Sequence, residues 1–346
     1  MSPSPASEEA STRRARGATT RRSGGRKALI GLLILLLVLA AAVVATVWFV
    51  RANLDSKIER FDAFSQVSER PSTESTEDGT PVNFLLIGSD SRISAGDLQT
   101  IEYGQQRSDA LMVVQVSADR KAVTVMSIPR DSWVPIPGHG TAKINAGLSY
   151  GGVPLAVQTV EELTGIRLDH VMMVDFESFT RLTDELGGVT IDTIDGPQQM
   201  NGEQALAFAQ TRKTLPRGDF DRIRRQQAWM RSMAQAAFSK DVLSSPTTIY
   251  SLVDLLAETT LMDETLTVDR LQNLIIEARG IRPRAVRFVT APDAGTGRSP
   301  DGKQSIVNLD MERCAPLFEA FATGQAAHYL FEHPDAAPSL DDRPVE

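Results

Sequence analysis

A run of 23 uncharged residues, 28–50, constrains this chain more than any other feature of its sequence. The run contains no proline, and as an α-helix it would be about 34 Å long, enough to cross a bilayer core of about 30 Å. Residues 1–27 before it carry seven basic side chains and two acidic ones. Because basic flanks stay in the cytoplasm, the sequence predicts a single-pass protein of the cell membrane with residues 51–346 outside.

A cleaved signal peptide is the alternative interpretation of this run. The apolar part of a signal peptide is normally about 7–15 residues long and ends at a small-residue cleavage site. Here the run is longer, and residues 49–53 make a poor cleavage site. Arg21 and Arg22 also suggest a twin-arginine signal, which the residues after them do not support. An uncleaved anchor is therefore the preferred prediction.

The rest of the composition excludes several functional classes. One cysteine, Cys314, leaves no internal disulfide and no zinc site of the CxxC type, and the four histidines form no HExxH motif. The net charge is -8, of which residues 1–27 contribute +5, so residues 28–346 carry -13. This charge disfavours a nucleic acid as the partner of the large domain.

The chain divides into a tail, a membrane helix, a tether and one large domain. Residues 1–27 are predicted to be a disordered cytoplasmic tail, and the polar residues 51–81 an extracellular tether. Residues 82–240 and 241–332 are predicted to be the core and the C-terminal part of one extracellular domain. Residues 333–346, rich in Pro, Asp and Ala, are predicted to be a flexible tail.

Short apolar runs alternate with helical patterns in the large domain, which indicates an α/β fold. We expect a layered α-β-α domain with a central mixed sheet, preceded by the transmembrane helix. Strands are predicted at 82–87, 110–116, 122–128, 168–174, 189–193 and 285–290, and helices at 153–163, 176–186, 202–209 and 221–238. The pattern does not determine the order of the strands.

Charged side chains lie directly beside three of the predicted strands, where α/β proteins tend to bind ligands. The set comprises Asp90, Arg92, Arg107, Asp109 and Arg130. Carboxylates hold hard cations such as Mg²⁺, and guanidinium groups bind phosphate oxygens in pairs. The combination suits a pyrophosphate better than a neutral ligand.

A second set of charged residues follows Gly218. A helix beginning near Asp219 would place Arg222, Arg225, Gln226 and Trp229 on one face, and such an N-terminus attracts anions.

Each of these features also has a purely structural interpretation. Asp219 is a common N-cap residue, and the run of arginines after it is typical of a solvated helix face. Asp90 and Asp109 fit turns, and Arg130 fits a surface ion pair. Taken one at a time, these signals are weak.

The order of the motifs is more specific than any one of them. NFLLIGSDSR, RSDALMVV, VTVMSIPRDSWV, KINAGLSYGG, VDFESFTRLTDELGGV, ALAFAQTRK and GDFDRIRRQQ follow one another within residues 82–238. The residues of these motifs, their order and the arrangement of anchor, tether and domain closely resemble those of the LytR–CpsA–Psr family. The resemblance implies a phosphotransferase that moves an anionic glycopolymer, such as teichoic acid, from a polyprenyl-pyrophosphate carrier onto peptidoglycan, typically at the 6-hydroxyl of N-acetylmuramic acid.

The resemblance also implies roles for single residues. Asp90 and Asp109 would bind Mg²⁺, with Mn²⁺ as an alternative, and one of them would take the proton of the attacking hydroxyl. Arg130 would be catalytic together with them. The pyrophosphate would be held by Arg92, Arg107, Arg130, Arg212, Arg222, Arg225 and Gln226, oriented by Asp219. Lys143 and Asn145 match a further motif of less defined role, and an apolar tunnel between sheet and helices would hold the polyprenyl chain.

One position departs from the family pattern. The family commonly has Arg-x-Arg where this chain has Gln210, Thr211 and Arg212, so one phosphate contact is replaced by an amide; Lys213 or Arg217 would be the nearest substitutes. This departure keeps open a non-catalytic protein that binds lipid-linked glycan, and a hydrolase of the same carrier is the closest enzymatic alternative. A transcriptional regulator is disfavoured because no helix-turn-helix pattern is visible.

Overall fold

The computed structural model describes residues 52–53, 55–73, 75–76, 79–89, 108–211, 215–237, 246–340 and 343–346. The predicted cytoplasmic tail and membrane helix lie outside the described residues. No helix among the residues described is both long and apolar enough to span a bilayer. Residues 53–346 form one compact unit, which contains both predicted parts of the large domain.

Within the described residues, a seven-stranded mixed sheet forms the centre of this unit. Its strands are β1 (Arg60–Phe61), β2 (Val82–Ser89), β3 (Ser108–Val116), β4 (Val123–Ser127), β7 (His170–Asp175), β10 (Thr260–Asp263) and β11 (Val286–Thr290). They lie side by side in the order β1-β10-β7-β2-β3-β4-β11. Three two-stranded sheets consist of β5 (Trp133–Ile136) with β6 (Gly140–Lys143), β8 (Val189–Thr193) with β9 (Gly196–Met200), and β12 (Asp293–Arg298) with β13 (Ser305–Leu309).

Helices cover both faces of the central sheet. They are α1 (Ala146–Thr164), α2 (Phe176–Glu185), α3 (Gly202–Gln210), α4 (Asp219–Ala237), α5 (Pro246–Thr259), α6 (Val268–Ala278), α7 (Met311–Ala322) and α8 (Ala326–Glu332). Side chains alternate along each strand, so Leu85 and Leu111 enter a core with α1 and α7. Met112, the residue after Leu111 on β3, points to the opposite face of the sheet and packs with Trp229 of α4. The predicted α/β class and its layered arrangement around a mixed sheet are confirmed.

Helix α4 is fixed to the sheet by the buried side chain of Gln227. Its Nε2 lies 2.9 Å from Ser127 Oγ, 3.0 Å from the Val289 carbonyl oxygen and 3.2 Å from Thr290 Oγ1. These acceptors stand at the ends of β4 and β11. A buried amide with such partners holds the helix at one place along the strands.

The structure differs from the predicted tether at residues 51–81. Ile58 and Ala63 are buried, and β1 belongs to the central sheet. Arg70 donates through Nη2 to the buried carboxylate of Glu161 at 2.7 Å and through Nε at 3.0 Å. The domain therefore begins well before residue 82. Local composition missed this because the partner of Arg70 is 91 residues away on α1.

The predicted flexible tail, residues 333–346, is also wrong. Ala337, Leu340 and Val345 are buried. The Val345 amide donates to the Asp192 carbonyl at 2.9 Å, and Leu340 donates likewise to Phe288 at 2.9 Å. The apolar residues stand among prolines and aspartates without regular spacing, and the strands that their backbone bonds, β8 and β11, are distant in the sequence.

Replacing Gln227 with leucine tests the anchor of α4. Gln227→Leu leaves buried oxygens at the ends of β4 and β11 without the amide donor, so we expect the free energy of unfolding to fall by about 1–3 kcal/mol. Urea denaturation measures this loss. Gln158→Leu is the matched control: this side chain bonds Glu162 at the surface, and we expect a change within about 0.5 kcal/mol. Equal losses in both variants would contradict the anchor.

Candidate functional site

The directions of the strands bring the predicted site residues to one edge of the central sheet. β2 pairs in parallel with β7, and β4 pairs in parallel with β11, while β3 runs antiparallel between β2 and β4. The carboxyl ends of β2, β4, β7 and β11 and the start of β3 therefore meet at the same edge. This edge carries the motifs that follow or precede the predicted strands.

A β-bulge occurs at Asp109 on this edge. Gly88 of β2 pairs with Ala110, but Ser89 pairs with Ser108, so Asp109 is the extra residue on β3. Bulges redirect side chains and are frequent beside active sites. The backbone of Asp109 thus lies opposite the end of β2, which runs into Asp90. The side chain of Asp109 and all of Asp90, Arg92, Arg107 and Arg212 lie outside the described residues.

Arg130, Asp219 and Arg222 form a compact charged cluster at the same edge. Arg222 Nη2 lies 2.7 Å from Asp219 Oδ1, and Arg130 Nε lies 3.9 Å from the same oxygen. The side chains of the three residues are 16%, 14% and 10% exposed, in that order. Two guanidinium groups converge on one carboxylate, so the cluster carries an excess of positive charge. Such a site favours an anion with several oxygens.

The loop after β4 holds Arg130 in place. The Arg130 carbonyl accepts a hydrogen bond from the backbone amide of Asn145 at 3.3 Å. Lys143 Nζ lies 3.0 Å from Asp131 Oδ1. The predicted Lys143 and Asn145 motif therefore packs against the loop that carries Arg130. This contact gives the motif a positioning role.

The turn before α4 places Asp219 and Arg222. Gly218 has a φ of +57°, a backbone conformation that residues with side chains rarely adopt. Asp221 is buried, and its carboxylate accepts two hydrogen bonds from Arg217. The backbone amide of Arg217 donates at 2.9 Å, and its side-chain Nε donates at 2.8 Å. Arg217 is thus held by Asp221. Asp221 and Gln227 are not recognisable from the sequence as residues that position the site, because each acts through a partner that only folding brings near.

Arg225 does not share the surroundings of Arg222. Its guanidinium carbon lies 4.1 Å from the centre of the Phe208 ring, and its Nη1 donates to the Phe208 carbonyl at 2.8 Å. Burial lowers the pKa of this guanidinium from its ordinary value. The side chain therefore links α4 to α3. Its predicted contact with pyrophosphate stays a prediction.

A narrow apolar cleft of about 50 Å³ opens between the sheet and helices α2 and α4. Gly88 and Ala110 line it from the sheet, and Gln226 and Trp229 line it from α4. Trp229 Nε1 donates to Thr183 Oγ1 at 2.8 Å, so its indole ring is fixed. A methyl group on Gly88 would come within 3.0 Å of the Ala110 Cβ, which explains a glycine at this wall. Gln226 is the polar residue of the predicted pyrophosphate set that faces this cleft.

The single cysteine of the chain does not add a nucleophile to this site. Burial raises the pKa of the Cys314 thiol to about 12, so it is not a nucleophile at neutral pH. Groups of three or more His, Cys, Asp or Glu with metal-binding geometry do not occur among the residues described. The side chains of the two predicted metal ligands, Asp90 and Asp109, are not among those described.

Comparisons with known proteins agree with the arrangement of these motifs. The family model described as "LytR_cpsA_psr family" matches residues 49–315. The probable cell wall biosynthesis protein LcpB of Corynebacterium glutamicum is 32% identical over 256 residues, which cover 68% of this chain and 58% of that protein. The polyisoprenyl-teichoic acid–peptidoglycan teichoic acid transferase TagU of Bacillus cereus is 36% identical over 180 residues, 48% of this chain and 56% of that protein.

Solved structures share the fold. Bacillus subtilis TagV has a TM-score of 0.57 at 26% identity, with 71% of this chain and 97% of that chain covered. "TagT bound to LIIa-WTA" has a TM-score of 0.59 at 24% identity, with 77% and 99% covered. The chain spans a little under three fifths of the length of the curated relatives above. With a family model matched over most of its length, the chain belongs to the LytR–CpsA–Psr family.

Proposed function

We propose that this protein is a membrane-anchored phosphotransferase that moves an anionic glycopolymer from a polyprenyl-pyrophosphate carrier onto peptidoglycan outside the cell. The observation that carries the proposal is the charged cluster of Arg130, Asp219 and Arg222 at the sheet edge that also bears the apolar cleft and the bulge at Asp109. One ligand with a charged head and an apolar chain would bind the charged cluster through its head and the apolar cleft through its chain. The names of TagU and LcpB support the same class of reaction.

The cleft would take the polyprenyl chain. Its walls are predominantly apolar, and Gln226 provides one amide among them. Its volume of about 50 Å³ is smaller than a prenyl chain, so α2 and α4 must move apart from the sheet for the lipid to enter. Burying each CH₂ group there contributes about 0.8 kcal/mol, which favours a long chain over a short one.

Asp90 and Asp109 would hold a divalent cation, Mg²⁺ or Mn²⁺. The pairing of Ser89 with Ser108 brings the backbone before each aspartate together, and the bulge sets Asp109 at the edge. Carboxylate oxygens are the ligands that Mg²⁺ prefers. When bound, the cation would neutralise pyrophosphate oxygens.

The reaction forms one bond to phosphorus and breaks another. The acceptor hydroxyl, the 6-hydroxyl of N-acetylmuramic acid, attacks the glycan-side phosphorus, and its proton passes to Asp109 or Asp90. The bond from that phosphorus to the bridging oxygen breaks, and polyprenyl phosphate leaves with the electron pair. Arg130 and Arg222 stabilise the charge that develops on this leaving group, while Asp219 holds both arginines in position.

Removing one charged side chain at a time tests the roles of Arg130 and Asp109 in transfer. We expect Arg130→Ala and Asp109→Ala each to lower the transfer rate about 10²–10³-fold, because each removes one positioned charge from the transition state. The assay contains the full chain in detergent, a polyprenyl-pyrophosphate-linked sugar, a soluble peptidoglycan fragment and Mg²⁺. Mass spectrometry of the fragment detects the added sugar phosphate.

Arg284→Ala is the control for loss of one arginine, since Arg284 is exposed on a separate 3₁₀ turn. It should transfer at the wild-type rate, and chelation of the divalent cation should stop transfer by wild type. Normal transfer by Arg130→Ala with an unchanged circular dichroism spectrum would contradict the assignment. Release of free sugar phosphate without a modified acceptor would identify a hydrolase, and donor binding without turnover would identify a binding protein.

Filling the cleft tests the site of the lipid. Ala110→Leu places three more carbon atoms at the cleft wall, so we expect affinity for the polyprenyl-linked donor to fall roughly tenfold or more. Val114→Leu, on the same face of β3 away from the cleft, is the control and should retain wild-type affinity. Fluorescence titration with labelled lipid gives both affinities, and thermal unfolding verifies that the variants fold. Unchanged affinity in Ala110→Leu would place the lipid elsewhere.

A further inference from the structure

An open cavity of about 510 Å³ lies on the other side of α4 from the apolar cleft. Phe220 and Arg224 of α4 form one wall, and Gln227 and Thr290 form the part nearest the sheet edge. Residues 334–339 and Arg343, which belong to the tail predicted from the sequence to be flexible, supply the opposite wall. None of the residues assigned above to the charged cluster lines this cavity.

Helix geometry separates the two sites. At about 100° per residue, the cavity side chains Phe220, Arg224 and Gln227 point about 130° away from the cleft side chains Gln226, Trp229 and Met230. Asp219 and Arg222 stand in the first turn of the same helix and point within about 35° of the cleft direction. The charged cluster therefore lies on the cleft side of α4, while Phe220 of the same turn reaches the cavity.

The cavity carries charges of both signs. Four arginines line it, namely Arg217, Arg224, Arg313 and Arg343, together with Asp293 and Asp335, and the charge of Arg217 is paired with the buried Asp221. Arg313 donates through Nη2 to the carbonyls of Asp335 at 3.1 Å and Ala336 at 3.3 Å. Carbonyl acceptors fix the position of the guanidinium without neutralising it. The cavity thus suits a ligand with carboxylates and an amine more than a uniformly anionic polymer.

The geometry of the reaction indicates what this ligand is. In phosphoryl transfer the attacking and leaving oxygens lie roughly in line on opposite sides of phosphorus. With the polyprenyl phosphate on the cleft side, the acceptor approaches from the side away from the cleft, and the cavity meets the first turn of α4 on that side at Phe220. We infer that the cavity binds the acceptor, a peptidoglycan strand whose stem peptide presents carboxylates to Arg313 and an amine to Asp335. This assignment rests on the proposed function.

A direct binding experiment tests the cavity without relying on turnover. The ligand is a soluble disaccharide–peptide fragment of peptidoglycan, with a second preparation whose carboxylates are amidated. We expect Arg313→Gln to weaken binding of the free-acid fragment on the order of tenfold, because a charge-assisted contact is lost while an N–H donor remains. The amidated fragment should bind wild type and variant equally. Calorimetry with the full chain in detergent gives these affinities.

Two further variants sharpen the result. Asp335→Asn should weaken binding of a fragment with a free amine and leave an N-acetylated fragment unaffected. Arg284→Gln makes the same charge change at an exposed arginine outside the cavity and should bind like wild type. Affinity for the polyprenyl-linked donor should stay at the wild-type value in Arg313→Gln, Asp335→Asn and Arg284→Gln.

The outcomes separate this inference from the proposed function. Wild-type fragment binding by Arg313→Gln would overturn the acceptor site, and so would an equal loss of donor affinity, which would assign the cavity to the donor glycan. A wild-type protein that binds the fragment through Arg313 and yet transfers nothing would overturn the proposed reaction and support the cavity. Transfer by Arg313→Gln with an unchanged acceptor KM would uphold the reaction and reject the cavity.

Discussion

The buried amide of Gln227 fixes helix α4 to the ends of β4 and β11, and much of the candidate site depends on where that helix lies. One helix contributes Asp219 and Arg222 to the charged cluster, Trp229 to the apolar cleft and Phe220 to the cavity on its other side. Since an α-helix is stiff, a shift of α4 along the strands would move all three together. The anchor makes the spacing between them a property of the fold.

The sheet contributes the other half of the site through the directions of its strands. Four strands end, and β3 begins, at one edge, so charged residues far apart in the sequence come together there. Two local adjustments shape this edge. The bulge at Asp109 shifts the register where β3 begins, and Gly88 lets β2 approach Ala110 closely at the wall of the cleft. A regular β3 would lack this register shift, and a larger residue at position 88 would prevent the close approach to Ala110.

Chain segments at both ends complete the domain. Arg70 forms a bidentate contact with the buried carboxylate of Glu161, which brings the segment before β2 into the fold. At the other end, Val345 bonds the backbone of β8, and Arg313 holds the segment that walls the cavity. Breaking a buried pair such as the first is costly because the remaining charge has no water around it. The ends are therefore structural parts of the unit that carries the site.

Much of the architecture follows from the sequence, because hydrophobic periodicity is a local property. It identified the strands on either side of Asp109, the helix beginning near Asp219 and the layered α/β class, and the order of the motifs identified the family. Tertiary structure alone decided the rest. Arg222 and Arg225 are three residues apart, yet one faces Asp219 and the other packs on Phe208 of a different helix. Which side chains share a site depends on partners distant in the chain, and a local pattern carries no information about such partners.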